Sequence, residues 1–148
     1  KRQIAMSVIK TLANSWATST RYHEDIRRSC FVGCHCFLEV EEAGAVIPTD
    51  SLAHYLACPL FWNLINSACR SHCTEWELTV PQRLCLDNPS VRRANLLAIG
   101  YRIYHCIKFG HSDIWGTAVQ QNSYHLMHDL VLSLARHFAD EFVLHHDC

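Results

Sequence analysis

No apolar run in the chain approaches the ~20 residues that a membrane-spanning helix needs. The opening stretch, KRQIAMSVIK, has neither an initiator Met nor the long apolar segment of a secretory signal, and the chain reads as an excerpt from something longer. Internal repeats and low-complexity segments are also missing. Catalytic signatures are scarce: no P-loop, G-x-S-x-G or H-E-x-x-H occurs. A zinc deaminase would need H-x-E together with P-C-x-x-C. His23-Glu24 has the wrong spacing for the first, and Cys58-Pro59-Leu60-Phe61 lacks the second cysteine. Between residues 31 and 68 there is no Lys or Arg, only four acidic residues.

The rest of the composition is that of a folded domain. Hydrophobic residues make up 49% of the 148 and charged residues 18%, which excludes a disordered chain and allows one core. The net charge of −1 covers an alternation of blocks. Residues 1–30 carry six basic and two acidic side chains, and residues 69–110 six against three; residues 111–148 are acidic, one against five. Basic blocks can face phosphate, although solvated helix faces account for them equally simply.

Nine cysteines is a high and an odd number, and eleven histidines accompany them. A secreted disulfide framework normally has an even count. Cys together with His points to metal, and to an intracellular, reducing setting in the cytoplasm or nucleus.

Helical spacing dominates the pattern. Ile4, Val8, Ile9 and Leu12 predict a first helix, and a turn with a short helix follows around Trp16. Residues 30–47 read as loop and short strand. Thr49 or Asp50 caps a helix through Leu52, Tyr55 and Leu56 to Cys58, with Pro59 kinking or restarting it. A short helix is expected after Pro81. Ser90 caps a long helix with Leu96, Ile99, Ile103 and Ile107 on one face, ended by Gly110. A last helix starts at Ser123 and buries Met127, Leu130, Leu134 and Phe138. The expected fold is mainly α, with a cysteine-rich, zinc-binding loop inserted near the N-terminus. Residues 1–68 would form a helix plus metal module, and 69–148 a helical support continuous with it.

The chemistry concentrates in two pairs. Cys30-x3-Cys34 is followed after 19 residues by His54-x3-Cys58. Zinc takes four thiolate or imidazole ligands in a tetrahedron. A loop pair and a pair four apart on one helix face supply them, and Gly33 suits the turn between the first two. Cys36 is an alternate ligand to Cys30, and His35 is also within reach of the ion. Cys69-x3-Cys73 with His72 has no partner pair and reads as core or surface thiols. His125 and His128 lie on a helix whose inward face Met127 and Leu130 already explain. Tyr55, Phe61 and Trp62 read as core.

The stretch CFVGC…DSLAHYLACPLFW resembles the cysteine/histidine segment downstream of the polymerase domain in reverse transcriptases of non-LTR retrotransposons. That segment carries a Cys pair, a variable acidic loop, and D-x-L-x-H-Y-L-x-C-P; Asp50, Leu52, His54, Tyr55, Leu56, Cys58 and Pro59 match it. The preceding KTLANSWATSTRYHED is similar to the stretch before the cysteines in protist elements of this type. The likeness covers about residues 9–66. It implies a zinc-binding (CCHC) module with Cys30, Cys34, His54 and Cys58 as ligands, helping a parent polyprotein hold RNA or target DNA. The polymerase's aspartate motif is missing, so the excerpt itself is not expected to be an enzyme. Arg21, Arg27, Arg28, Arg92 and Arg93 are the expected phosphate contacts. One rival is a metal-dependent nuclease resembling His-Cys-box endonucleases, with His23 or His72 as its catalytic histidine. Another is a helical protein–protein module whose thiols are incidental.

Overall fold

In a computed structural model, residues 2–23, 28–37, 49–69 and 78–143 are described. Seven α-helices occur among them: α1 (Arg2–Leu12), α2 (Leu52–Ala57), α3 (Pro59–Ala68), α4 (Val80–Arg83), α5 (Val91–Gly110), α6 (Ser112–Gln121) and α7 (His125–Val143). A 3-10 turn spans Cys34–Phe37. The fold is mainly helical, as the periodicity indicates. The expected strand within 30–47 is not found among the described residues; Ser29 and Thr49 form one isolated antiparallel bridge, and 38–48 lie outside them. No described helix is long and apolar enough to cross a membrane.

α5 is the central element. It packs against α1, α3, α6 and α7, while α3 also lies along α7. Its start is set by Ser90, whose hydroxyl accepts from Arg93 N at 3.2 Å, and Leu96, Ile99, Ile103 and Ile107 are all buried. Gly100 lets α5 approach α3 closely, since a Cβ there would sit 2.9 Å from the Trp62 ring. One contiguous core joins residues from Ile4 to Phe142. Gly110 is the last helical residue and not a left-handed cap; His111 closes α5 and opens α6. The pattern reading did not anticipate α6.

Trp16 sits at the middle of this core, fully buried. Its ring centroid lies 5.0 Å from that of Tyr104, 6.0 Å from Tyr101 and 6.1 Å from Tyr55. Its indole N–H donates to Thr11 Oγ1 at 3.0 Å. That bond explains a correction to α1. The buried positions are Ile4, Ser7 and Thr11, while Ile9 and Leu12 are exposed. Ser7 and Thr11 hydroxyls bond the carbonyls of Gln3 and Ser7, one turn back, so each polar group enters the core with its partner. Residues 15–18 have no regular structure and 19–23 form turns; no short helix follows Trp16 among the described residues, and 24–27 lie outside them.

The α2 cap is also corrected. Ser51 is the N-cap, its hydroxyl accepting from His54 N at 3.1 Å. Asp50 is fully buried and serves elsewhere. Its carboxylate accepts from Ser19 N at 2.7 Å and from Tyr104 OH at 2.9 Å, and Lys108 Nζ lies 3.7 Å away. Its backbone N–H donates to Arg28 O at 2.8 Å. One residue thus joins the Trp16 turns and α5 through its side chain and the Arg28 segment through its backbone. In the last helix, Met127, Val131, Ala135, Phe138 and Phe142 are buried, and Leu130 and Leu134 only flank that stripe.

Asp50→Ala removes a buried anion from a buried cation and two donors. The expected loss is about 3–5 kcal/mol of unfolding free energy in urea titrations. A loss below about 1 kcal/mol would show that the carboxylate does not join these segments.

Candidate metal centre

The first ligand pair is built on a tight turn. Gly33 N donates to Cys30 O at 3.0 Å, and Cys36 N to Gly33 O at 2.9 Å. Gly33 has φ +67°, in the left-handed region that favours glycine, and a Cβ would run into the Tyr124 ring. Cys30 is fully buried and Cys34 nearly so. Between them, Phe31 packs on Tyr55, Phe61 and Trp115, which fixes the turn to the core.

The second pair straddles a helix junction. The sequence places His54 and Cys58 on one helix, but α2 stops at Ala57 and Cys58 is extended, with ψ 109°. Pro59 explains the break, because a proline disfavours helical backbone in the residue before it. Pro59 then opens α3, so Cys58 is both the end of α2 and the N-cap of α3.

Cys30, Cys34, His54 and Cys58 converge: one ligand atom from each lies within 4.8 Å of all the others. Cys34 Sγ and His54 Nε2 are 3.5 Å apart. Three thiols and one imidazole at that spacing can hold a metal ion. Burial pushes the Cys30 thiol well up, with hydrogen bonding to Cys34 and Cys58 adding to the effect. Cys58 moves the opposite way, from 9.0 to about 4, chiefly through hydrogen bonds from Cys30 and Cys34. The backbone N–H groups of Phe61 and Leu60, at the start of α3, lower it further. The shifts run in opposite directions, so negative charge in the cluster is most readily held at Cys58. Cys58 binds its proton less readily folded than unfolded. Its contribution to stability grows as pH rises from about 4 toward 9, and is lost as pH falls through about 4.

Arg83 was not foreseen as part of this site. It lies at the end of α4, and its guanidinium stacks 5.2 Å over Trp62 and donates to Leu56 O, at the end of α2. Burial lowers its pKa, and the neighbouring Cys58 charge raises it. This cation offsets negative charge at the ligand set. Its position 25 residues after Cys58 carries no local signal that would have revealed it.

Cys36, the alternate ligand, is turned away: it is exposed, and its thiol donates to Asn122 Oδ1 at 3.1 Å. His35 instead approaches Tyr124 OH at 3.4 Å. Cys69 is buried in the core, as expected of an isolated thiol; His72 and Cys73 lie outside the described residues. His125 is exposed, while His128 Nε2 lies 2.9 Å from Val32 O and ties α7 to the ligand turn. Among the expected phosphate contacts, Arg21 is exposed, with its guanidinium 5.5 Å over Tyr22. Arg28 is half-buried, 5.0 Å over Trp115. Arg92 is half-buried and its Nε has no hydrogen-bond partner. Arg93 does not fit that role: it is 7% exposed and its guanidinium donates to Asp87 and Asn88 carbonyls. Arg27 lies outside the described residues.

Comparison with family models, curated proteins and solved structures finds no match to the chain.

Cys58→Ser should abolish stoichiometric binding of a divalent thiophilic metal, whereas Cys36→Ser should leave it unchanged, as read by metal content after gel filtration. Equal loss in both variants would contradict this ligand set. Arg83→Gln, which keeps the ligands and removes the charge, should weaken metal binding about 10-fold or more.

Proposed function

We propose that the Cys3His cluster is a structural zinc site and that the chain is a nucleic-acid-binding module. The single observation that carries the reading is the convergence of Cys30, Cys34, His54 and Cys58, taken from two segments with little backbone pairing, on one point. Tetrahedral zinc, with Zn–S near 2.3 Å and Zn–N near 2.0–2.1 Å, places its ligand atoms roughly 3.5–3.8 Å apart. The Cys34–His54 separation of 3.5 Å has that edge length. Soft thiolates select zinc over magnesium or calcium. Four protein ligands close the shell and leave no position for substrate, which suits structure and not catalysis. On this reading the chain is not an enzyme.

The partner reading rests on the resemblance to the region that follows the polymerase in non-LTR retrotransposon reverse transcriptases. The module would assist a parent polyprotein in holding RNA or target DNA. Residues 1–68 would carry the zinc and 69–148 the helical support. Arg28 adjoins the ligand turn, Arg21 lies seven residues before it, and no basic residue occurs in 31–68, so phosphate contacts would concentrate beside the turn. Three cysteines held together without bridging suit an intracellular, reducing compartment.

Nucleic-acid binding measured over a salt series tests the partner reading. With a few arginine–phosphate contacts, the logarithm of affinity should fall against the logarithm of salt with a slope of about −2 to −4. Absence of binding at low salt, or binding indifferent to salt, would overturn it.

A further inference from the structure

Beside the metal centre, the ligand turn, α6 and Tyr124 enclose a cleft of about 580 Å³. Pockets that take small ligands run to roughly 300–1,000 Å³. Its wall offers the Arg28 guanidinium, the hydroxyls of Thr49 and Ser112 and the Gln120 amide, and among the described residues no carboxylate lines it. Trp115 also lines it; the residue is 1% exposed, and its indole N–H has no hydrogen-bond partner. An indole nitrogen can only donate, so this is a buried donor awaiting an acceptor. His35 Nδ1, at the same wall, is likewise buried and without a partner. The Arg28 guanidinium lies 5.0 Å over the Trp115 ring, which holds its positive charge at the cleft wall.

Gly116 is a separate observation. It lies in the interior of α6, where glycine is among the poorest residues for helix stability. It lines the cleft, and no heavy atom lies within 4 Å of where its Cβ would be. Packing does not require glycine there. A bare backbone does let a ligand approach the helix closely.

We propose that this cleft seats a phosphodiester of a single-stranded nucleic acid, with the Arg28 guanidinium facing the phosphate oxygens and the strand crossing α6 at Gly116. The proposal rests on the nucleic-acid reading above and locates its binding surface beside the metal turn, away from Arg92 on α5.

The test uses the metal-loaded chain and a short fluorescently labelled oligothymidylate. Gly116→Glu introduces a carboxylate into open space, so its metal content and melting temperature should match wild type. Its affinity should fall about 10-fold or more, because like charges face one another. Gly116→Ala, which raises helix propensity but puts a methyl group where the strand approaches the helix, should lose less affinity than Gly116→Glu. Arg28→Gln should lose affinity and flatten the salt dependence by about one contact. Wild-type affinity in both Gly116→Glu and Arg28→Gln would overturn the cleft while leaving nucleic-acid binding intact. Thymidine monophosphate binding as tightly as the oligonucleotide would also overturn it, making the cleft a small-molecule pocket. No binding by the wild-type chain would instead remove the nucleic-acid reading itself.

Discussion

Three cysteine sulfurs and one imidazole nitrogen within 4.8 Å of one another bring together two segments that are otherwise linked by the Phe31–Tyr55 contact and little backbone pairing. Between residues 28–37 and 49–58 the backbone contributes an isolated bridge at Ser29 and Thr49 and the Asp50–Arg28 hydrogen bond. The sulfurs lie in the core, where burial disfavours ionised thiols, as the upward shift at Cys30 shows. Thiolates are nonetheless the metal-binding form. A cation at their centre would resolve that conflict and would make metal binding part of folding.

The surroundings are arranged to hold this geometry. Asp50 ties the Arg28 segment to α5 through Tyr104 and Lys108, four residues before His54. Gly33 gives the first pair its turn, and His128 fastens that turn to α7. Cys58, placed by Pro59 at the head of α3, meets backbone N–H groups that favour its anion, and Arg83 adds positive charge nearby. Metal site and core are one construction: Phe31, between two ligands, packs on Tyr55 and Trp115, which belong to different helices.

The ligand set was legible because its information is local: Cys-x3-Cys and His-x3-Cys each fit one turn of chain. The long helix after Ser90 was legible for the same reason, with a cap and an apolar stripe in sequence. Trp16 was not, because the rings around it come from Tyr55, Tyr101 and Tyr104, far along the chain. The inward face of α1 was misread because Ser7 and Thr11 carry their own hydrogen-bond partners into the core, leaving Ile9 and Leu12 outside. The Asp50 cap was misread because a buried Tyr and Lys took the carboxylate that Ser51 then replaced. α6 escaped notice because His111 ends one helix and starts the next with no intervening turn signal. Trp16 and Asp50 are tertiary partners overriding a local preference, whereas α1 and α6 turn on local features that leave no apolar pattern or turn signal.

X-ray absorption at the zinc edge on the purified, metal-loaded chain addresses the site most directly. A first shell of three sulfurs near 2.3 Å and one nitrogen near 2.0–2.1 Å is the expected result, roughly as in other mixed thiolate–imidazole sites. A shell of two sulfurs, or one containing water oxygen, would contradict the closed Cys30–Cys34–His54–Cys58 site.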